Sequence, residues 1–245
     1  MAKIAVDAVL LPSDDMMDKA IEANRELLKQ CAGFPRGGVA DKIVLDKEDC
    51  LPHISLAMGC IDEKAIADIE KVLRTIAKGP RFAGTKQYSL EQLRVTGIHV
   101  GTSSAGEKVS VFRIERTKTL QSLHEEVMRR LAPYFSYDVT ADMIFSPPEA
   151  GESTLLWIKN YAEKSSFEKF FPHITTGYGE INDSAFGSAA RCPVDREAGS
   201  LPMKFPASKL ALCHLGNHCT CRKILASAEL KSGAQKVCES GGDVF

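Results

Sequence analysis

Two short stretches decide the fold: LPHISL at residues 51–56 and FPHITT at residues 171–176. Each contains Pro-His-Ile followed by a hydroxyl residue, and histidine is scarce in this protein, with 6 copies in the whole chain. From the composition, a second Pro-His-Ile-Ser/Thr has a chance probability of roughly one in 500. The repeat therefore predicts two matching strands, one in each half of the chain.

Each stretch presents two faces, because neighbouring side chains on a β-strand point to opposite sides. His53 and Ser55 share one face, and Ile54 points to the opposite, buried side. His173 and Thr175 have the same relation in the second copy. If the two strands lie side by side across a pseudo-twofold axis, one pocket receives two imidazoles and two hydroxyls.

That set of side chains suits in-line attack on a phosphodiester. Hydroxyls donate hydrogen bonds to phosphate oxygens, and imidazoles accept and donate protons near neutral pH. One histidine on a strand is usually structural, but the matched pair favours a function. We predict His53 and His173 as the catalytic acid–base pair, with Ser55 and Thr175 binding the phosphate. The motifs leave open which histidine is the base, and they predict a bell-shaped pH–rate profile centred near neutrality.

At these residues the chain resembles the 2H phosphoesterases, whose signature is two well-separated copies of His, hydrophobic, Ser or Thr, hydrophobic. Residues 53–56 match it fully, and residues 173–176 depart from it at Thr176, which is not hydrophobic. The resemblance implies a bilobal fold with two antiparallel sheets, flanking helices and a central cleft. It also implies catalysis without a metal or cofactor, on 2′,5′ or 2′,3′-cyclic phosphodiesters of RNA ends or small nucleotides. Some members run the reverse reaction, 2′-5′ RNA ligation.

The rest of the chain interleaves strands with amphipathic helices, which favours an α+β fold with antiparallel sheets over a doubly wound parallel sheet. Ser13 and the Asp14-Asp15 pair are typical of a helix start, and Asn24 is the one polar break in that helix's apolar stripe. We predict one bilobal domain over residues 1–230 and a polar, mobile tail over residues 231–245. The predicted strands are 3–11, 53–60, 93–101, 108–115, 173–178, 208–214 and 219–228, and the later helices are 118–132 and 153–164.

The composition limits the partners. The 245 residues include 31 Lys and Arg against 32 Asp and Glu, which argues against a large non-specific nucleic-acid surface but allows a small cationic pocket. No segment approaches a membrane span, and Asp7 interrupts the apolar run at the N-terminus, so we expect no secretory signal there. We expect a cytoplasmic monomer without a membrane partner, with reduced thiols and an RNA terminus or small nucleotide as substrate.

A second cluster, CHLGNHCTC at residues 213–221, is rich in possible metal ligands. Its Cys-x-Cys spacing lacks the two-residue turn of a zinc knuckle, and no second knuckle is present. A sheet face with buried thiols is the favoured interpretation, with Cys219 and Cys221 on one side. Metal binding by this cluster, in a thiol-metal protein, remains an alternative.

Four further features have weaker signals. Arg36-Gly37-Gly38 is an alternative phosphate-contacting loop, although Gly-Gly is a common loop breaker. His99 and His124 have no partners in the sequence, so we expect structural roles for both. Tyr178 is a candidate for stacking on a base, but on a regular strand it faces away from Thr175.

The principal alternative function is a non-catalytic nucleotide-binding module, which has no need of a proton donor and acceptor.

Overall fold

The computed structural model of the chain describes residues 2–31, 43–79, 90, 92–102, 108–147, 149–179 and 203–230. Within these ranges the strands are β1 Lys3–Pro12, β2 Ile54–Asp62, β3 Leu93–Thr102, β4 Lys108–Ile114, β5 His173–Gly179, β6 Met203–Phe205, β7 Ala207–Leu215 and β8 Cys221–Glu229. The helices are α1 Asp14–Cys31, α2 Ile66–Ala77, α3 Lys118–Leu131 and α4 Glu152–Lys164. The Arg36-Gly37-Gly38 loop and the 231–245 tail lie outside the described residues.

The strands form two four-stranded sheets, in the orders β2-β1-β7-β8 and β5-β4-β3-β6. Every neighbouring pair is antiparallel, so the predicted α+β class with antiparallel sheets is confirmed. The two motif strands, β2 and β5, are edge strands of different sheets, and they contact each other. The order of the strands along the chain does not predict that these two edge strands meet. Their contact is what brings the two motifs together.

One continuous apolar core joins the sheets to the helices. It includes Ile54 and Ile174, which are fully buried as the alternation in the motifs predicts. The Thr117 hydroxyl accepts a hydrogen bond from the Leu120 amide and caps α3. Helices α2 and α3 are amphipathic, as predicted for the helices between the strands, since the following side chains are buried: Ile69, Leu73, Ile76, Leu120, Leu123, Val127 and Leu131.

The cysteine cluster differs from its prediction. Cys213 on β7 and Cys221 at the start of β8 form a disulfide, so the expectation of reduced thiols is wrong for this pair. The cause is the hairpin register, which brings their Cα atoms to 5.5 Å, within the range that a disulfide spans. The prediction that Cys219 lies on the second strand is also wrong, because β8 begins at Cys221 and Cys219 belongs to the preceding turn.

No helix in the described part of the chain has the length and apolar character that crossing a membrane requires.

Candidate active site

A cavity of about 350 Å³ opens where the two sheets meet. All four residues predicted from the repeat line it: His53 and Ser55 from β2, His173 and Thr175 from β5. Residues of helix α4 and of the turn before β8 also line it. The structure therefore brings together two imidazoles and two hydroxyls that are far apart in the sequence.

The two imidazoles are held in the same way. His53 Nδ1 lies 2.8 Å from the Leu51 carbonyl oxygen, and His173 Nδ1 lies 2.7 Å from the Phe171 carbonyl oxygen. Because a carbonyl only accepts hydrogen bonds, Nδ1 of each ring carries the proton and donates it. The other ring nitrogen, Nε2, is left to accept or donate a proton in the cavity.

Both rings favour the neutral form in this cavity. Burial lowers the pKa of His53 to about 4, against the opposing effect of the Leu51 carbonyl, and the charge on His173 lowers it further. Burial also lowers the pKa of His173, where the Phe171 carbonyl opposes the shift and the charge on His99 adds to it. The two catalytic candidates are therefore coupled, and protonating one disfavours protonating the other.

A β-bulge follows the hydroxyl residue of each motif. On β2 the register passes from Ser55 to Ala57 and skips Leu56, and on β5 it passes from Thr175 to Gly177 and skips Thr176. A bulge reverses the alternation of side chains beyond it, because one residue is left out of the pairing. The two strands thus share an irregularity as well as a sequence motif.

Buried side chains secure both bulges. His124 Nδ1 donates to the Leu56 carbonyl at 2.7 Å, and Asn24 Nδ2 donates to the Thr176 carbonyl at 3.0 Å. The Thr176 hydroxyl lies 3.0 Å from that of Ser110, which explains why the last position of the second motif is polar. Asn24, noted in the sequence only as a break in the apolar stripe of α1, thus positions the second motif.

His124 has a structural role, as expected, and it joins the two motif regions. Its Nε2 accepts a hydrogen bond of 2.7 Å from the Phe167 amide, and its ring stacks on Phe170 at 4.0 Å between centroids. Burial lowers its pKa to about 4, against the Leu56 carbonyl, which raises it. A neutral ring is what this arrangement requires, since Nε2 must keep its lone pair for the amide.

Two residues set aside in the sequence lie on the cavity wall. Tyr178 lines the cavity; it was expected to face away from Thr175 on a regular strand, but the bulge at Thr176 makes β5 irregular and reverses the alternation. His99 also lines the cavity, and its ring meets the Phe171 ring edge-on at 5.8 Å between centroids. The register explains its position, because His99 pairs with Val111, which in turn pairs with Thr175.

The turn before β8 has a strained backbone. His218 and Cys219 both have left-handed φ angles, of 57° and 56°, which non-glycine residues rarely adopt. The Thr154 hydroxyl of α4 accepts a hydrogen bond from the His218 amide at 2.8 Å and donates one to Asn217 at 2.6 Å. This network directs His218 and Cys219 to the cavity wall, where the His218 ring lies 4.0 Å from that of Tyr178.

The outer part of the cavity is aromatic and basic. Trp157 and Phe171 line it and remain 45% and 41% exposed, so their ring surfaces are available to a ligand. Lys164 and Lys169 add positive charge to the same wall. Nothing in the sequence marks these four as a group, because they come from α4 and the segment before β5.

Asp7 on β1 is fully buried. Burial raises its pKa to about 8, against the lowering effects of the Ser55 hydroxyl and of the Ala57 and Leu56 amides. Neither carboxylate oxygen completes a hydrogen bond with a described residue. The sequence already sets Asp7 apart, since it is the one charged residue between Ile4 and Leu11.

Among the described residues, no group of three or more His, Cys, Asp or Glu side chains is placed to hold a metal ion. The disulfide also removes Cys213 and Cys221 from any thiolate ligand set. No protein-family model matches the chain, and no curated protein matches it either.

Proposed function

We propose that the chain is a metal-independent phosphoesterase of the bilobal 2H type, acting on 2′,3′-cyclic or 2′,5′ phosphodiesters of RNA ends or small nucleotides. The observation that carries the proposal is the pair of imidazoles, each fixed through Nδ1 and each beside a hydroxyl in one cavity. Acid–base catalysis by two such groups needs no other proton carrier. In this proposal, residues 1–230 form the single catalytic domain.

In the hydrolysis of a cyclic phosphate, His53 takes a proton from water as the water oxygen attacks phosphorus. His173 gives a proton to the leaving ribose oxygen as its bond to phosphorus breaks. The Ser55 and Thr175 hydroxyls donate hydrogen bonds to the non-bridging oxygens, where charge builds up. His53 is assigned as the base because its pKa is lowered to about 4, which keeps its Nε2 lone pair available. In the reverse reaction, ligation, the two roles exchange.

The surroundings of the motifs support a nucleotide as substrate. Trp157, Phe171 and Tyr178 offer ring faces on which a base can stack, and Lys164 and Lys169 offer positive charge for phosphate oxygens. The volume of about 350 Å³ is near the lower end of small-ligand sites, which span about 300–1,000 Å³. A cavity of this size suits one nucleotide, free or at the end of a strand, better than the interior of a duplex.

The pH dependence of kcat/KM should be a bell centred on the acid side of neutrality. This parameter reports ionisations of the free enzyme, whose two imidazoles both have lowered pKa values. Activity should fall below about pH 4 as His53 gains a proton, and it should fall again as His173 loses its proton before pH 6.5. The sequence alone led to a neutral centre, and burial is the reason for the revision. Assays from about pH 3.5 to about pH 9 would check this, and a steady rise toward alkaline pH would contradict it.

The proposal is tested by a panel of substrates offered in excess chelator. The panel contains 2′,3′-cyclic mononucleotides, 2′,5′-linked dinucleotides, RNA ending in a cyclic phosphate, and ADP-ribose cyclic phosphate. We expect turnover of at least one phosphodiester, with the same rate with and without chelator. Tight binding of these compounds with no turnover of any would support the alternative, a non-catalytic nucleotide-binding module, and reject the enzyme.

A further inference from the structure

The cavity has more cationic and proton-donating groups than one phosphodiester needs. Four histidines and two lysines line it, whereas none of the described residues that line it is an aspartate or a glutamate. A phosphodiester carries a single negative charge, and the two motifs already supply two imidazoles and two hydroxyls for it. The remaining donors therefore favour a ligand with a second anionic group.

The register of the second sheet places His99 in line with the second motif. His99 on β3 is opposite Val111 on β4, and Val111 is opposite Thr175 on β5, so the three side chains share a face. Neighbouring strands lie about 4.8 Å apart, which separates the backbones at His99 and Thr175 by roughly 10 Å. Val111 is buried between them and lines the cavity. One ribose with a phosphate at each end can therefore contact both outer side chains across Val111.

Arg113 adds a fixed positive charge to the same face. It is opposite His173 in the pairing of β4 with β5, and it is exposed. Its guanidinium carbon lies 5.8 Å from the centroid of the Phe171 ring, and the centroid of the His99 ring lies 5.8 Å from the same point. Arg113 and His99 thus adjoin one aromatic ring of the cavity wall. A guanidinium forms paired, charge-assisted hydrogen bonds with phosphate oxygens.

The sheet surface next to these two side chains has room for an anion. Gly97 is opposite Arg113 in the register and lies two residues before His99 on the same face of β3. A β-carbon placed on Gly97 would meet no atom of a described residue within 4 Å. The space above Gly97 is therefore bordered by His99 on its own strand and by Arg113 on the next.

The two lysines of the cavity are less suited to fix a second phosphate. Lys169 Nζ already donates to the Glu163 carbonyl at 2.8 Å. Lys164 is exposed at the last residue of α4, and its ammonium is carried on a flexible four-carbon stem. By contrast, His99 lies on a strand whose register sets its distance from Thr175. The lysines are nevertheless the competing site that an experiment has to separate.

We propose that His99 and Arg113 form a second phosphate subsite, which takes the 5′ phosphate of the nucleotide whose reacting phosphate lies between the motifs. The inference rests on the proposed function and narrows its substrate class to RNA ends. The terminal nucleotide of an RNA strand has a phosphate on its 5′ oxygen, one ribose away from its cyclic phosphate. A free 2′,3′-cyclic mononucleotide lacks that group, so it should bind less tightly than RNA that ends in a cyclic phosphate.

The test compares the binding of adenosine 3′,5′-bisphosphate with that of adenosine 3′-monophosphate, by calorimetry at one pH. The ratio of the two association constants isolates the 5′ phosphate, because the base, the ribose and the 3′ phosphate are common to both. The wild-type ratio should be about a hundredfold, and His99→Ala and Arg113→Ala should each lower it about tenfold, the size of one charge-assisted hydrogen bond. His214→Ala and Arg74→Ala are the matched controls, since neither residue lines the cavity, and both should keep the wild-type ratio.

Two results would overturn the proposal directly. One is a wild-type ratio near one, and the other is a ratio that falls in Lys164→Ala but in neither His99→Ala nor Arg113→Ala. In the wild-type chain, the imidazole proton resonances of His99 should move with the bisphosphate and not with the monophosphate. An equal response to both ligands would overturn the proposal even if the variants fail to fold.

The outcome is separable from that of the proposed function, because none of these measurements involves turnover. Inactivity on the substrate panel, with the wild-type ratio as expected, would reject the phosphoesterase and leave the subsite standing. Turnover of the panel with a wild-type ratio near one would reject the subsite alone.

Discussion

His53→Ala should lower kcat/KM on a cyclic phosphodiester by about a thousandfold, within the range of 10²–10⁴ typical for loss of a general acid or base. His173→Ala should have an effect of similar size. In each histidine, Nδ1 donates to a backbone carbonyl, which leaves Nε2 to accept or donate a proton in the cavity. Each substitution therefore removes the nitrogen that takes part in proton transfer. Substrate binding should change little, because Ser55, Thr175 and the aromatic wall remain.

The double variant provides the sharper test. Residues that act as a unit are non-additive, so His53→Ala with His173→Ala should be about as inactive as either variant alone. His214→Ala is the matched control, because His214 is half-buried on β7 outside the cavity, with Nε2 3.1 Å from the Met143 carbonyl oxygen. The control should keep wild-type activity, and thermal unfolding should show that all the variants fold. Retention of a tenth of the activity by His53→Ala would exclude it as an essential acid or base.

The repeat was enough to predict the centre of the candidate site, because the alternation along a strand is a local property. His53 and Ser55 needed only the period of two to be placed on one face, and buried Ile54 confirms that face. The amphipathic helices were predictable for the same reason, since a 3.6-residue period is also local. We assumed from the repeat that β2 and β5 lie next to each other, because no local pattern predicts it.

The wall of the site was beyond local reasoning because it depends on bulges and long-range packing. The face of β5 on which Tyr178 lies could be predicted only for a regular strand, because the bulge at Thr176 leaves no clear trace in the sequence. His99 reaches the cavity only through two successive strand pairings, with Val111 between it and Thr175. Sequence reasoning that assumes regular strands cannot recover either residue.

Three polar residues interrupt apolar patterns in the sequence, and they were not used to predict the surroundings of the motifs. Asn24 on α1, Asp7 on β1 and Thr176 on β5 each break a pattern that is otherwise hydrophobic. In the structure each is buried beside one of the two motifs. A buried polar side chain is costly unless it has a partner or a task. Such an interruption in a core strand or helix therefore indicates which neighbours are being positioned.

Asp7→Asn should change the pH dependence of stability by a large amount. The folded chain holds the Asp7 proton up to about pH 8, whereas the unfolded chain releases it near the ordinary aspartate value of 3.8. Between these values the folded state binds more protons, so the wild-type free energy of unfolding falls as pH rises. From pH 5 to pH 8 this loss amounts to roughly 4 kcal/mol, at about 1.36 kcal/mol for each unit of pKa difference. The variant has no such proton, so its unfolding free energy should fall by that much less.

Urea unfolding of both proteins at pH 5 and pH 8 measures this difference, and Asp46→Asn serves as a control that should not change the pH dependence in this range. Burial alone would raise the pKa of Asp46, but amides of Glu48, Asp49 and Cys50 donate to its carboxylate and lower the pKa overall. The stabilisation from Asp46 is lost only as pH falls below the ordinary aspartate value of 3.8, so its removal should lower the free energy of unfolding by the same amount at pH 5 and at pH 8. Parallel pH curves for the wild type and Asp7→Asn would mean that Asp7 ionises normally in the fold.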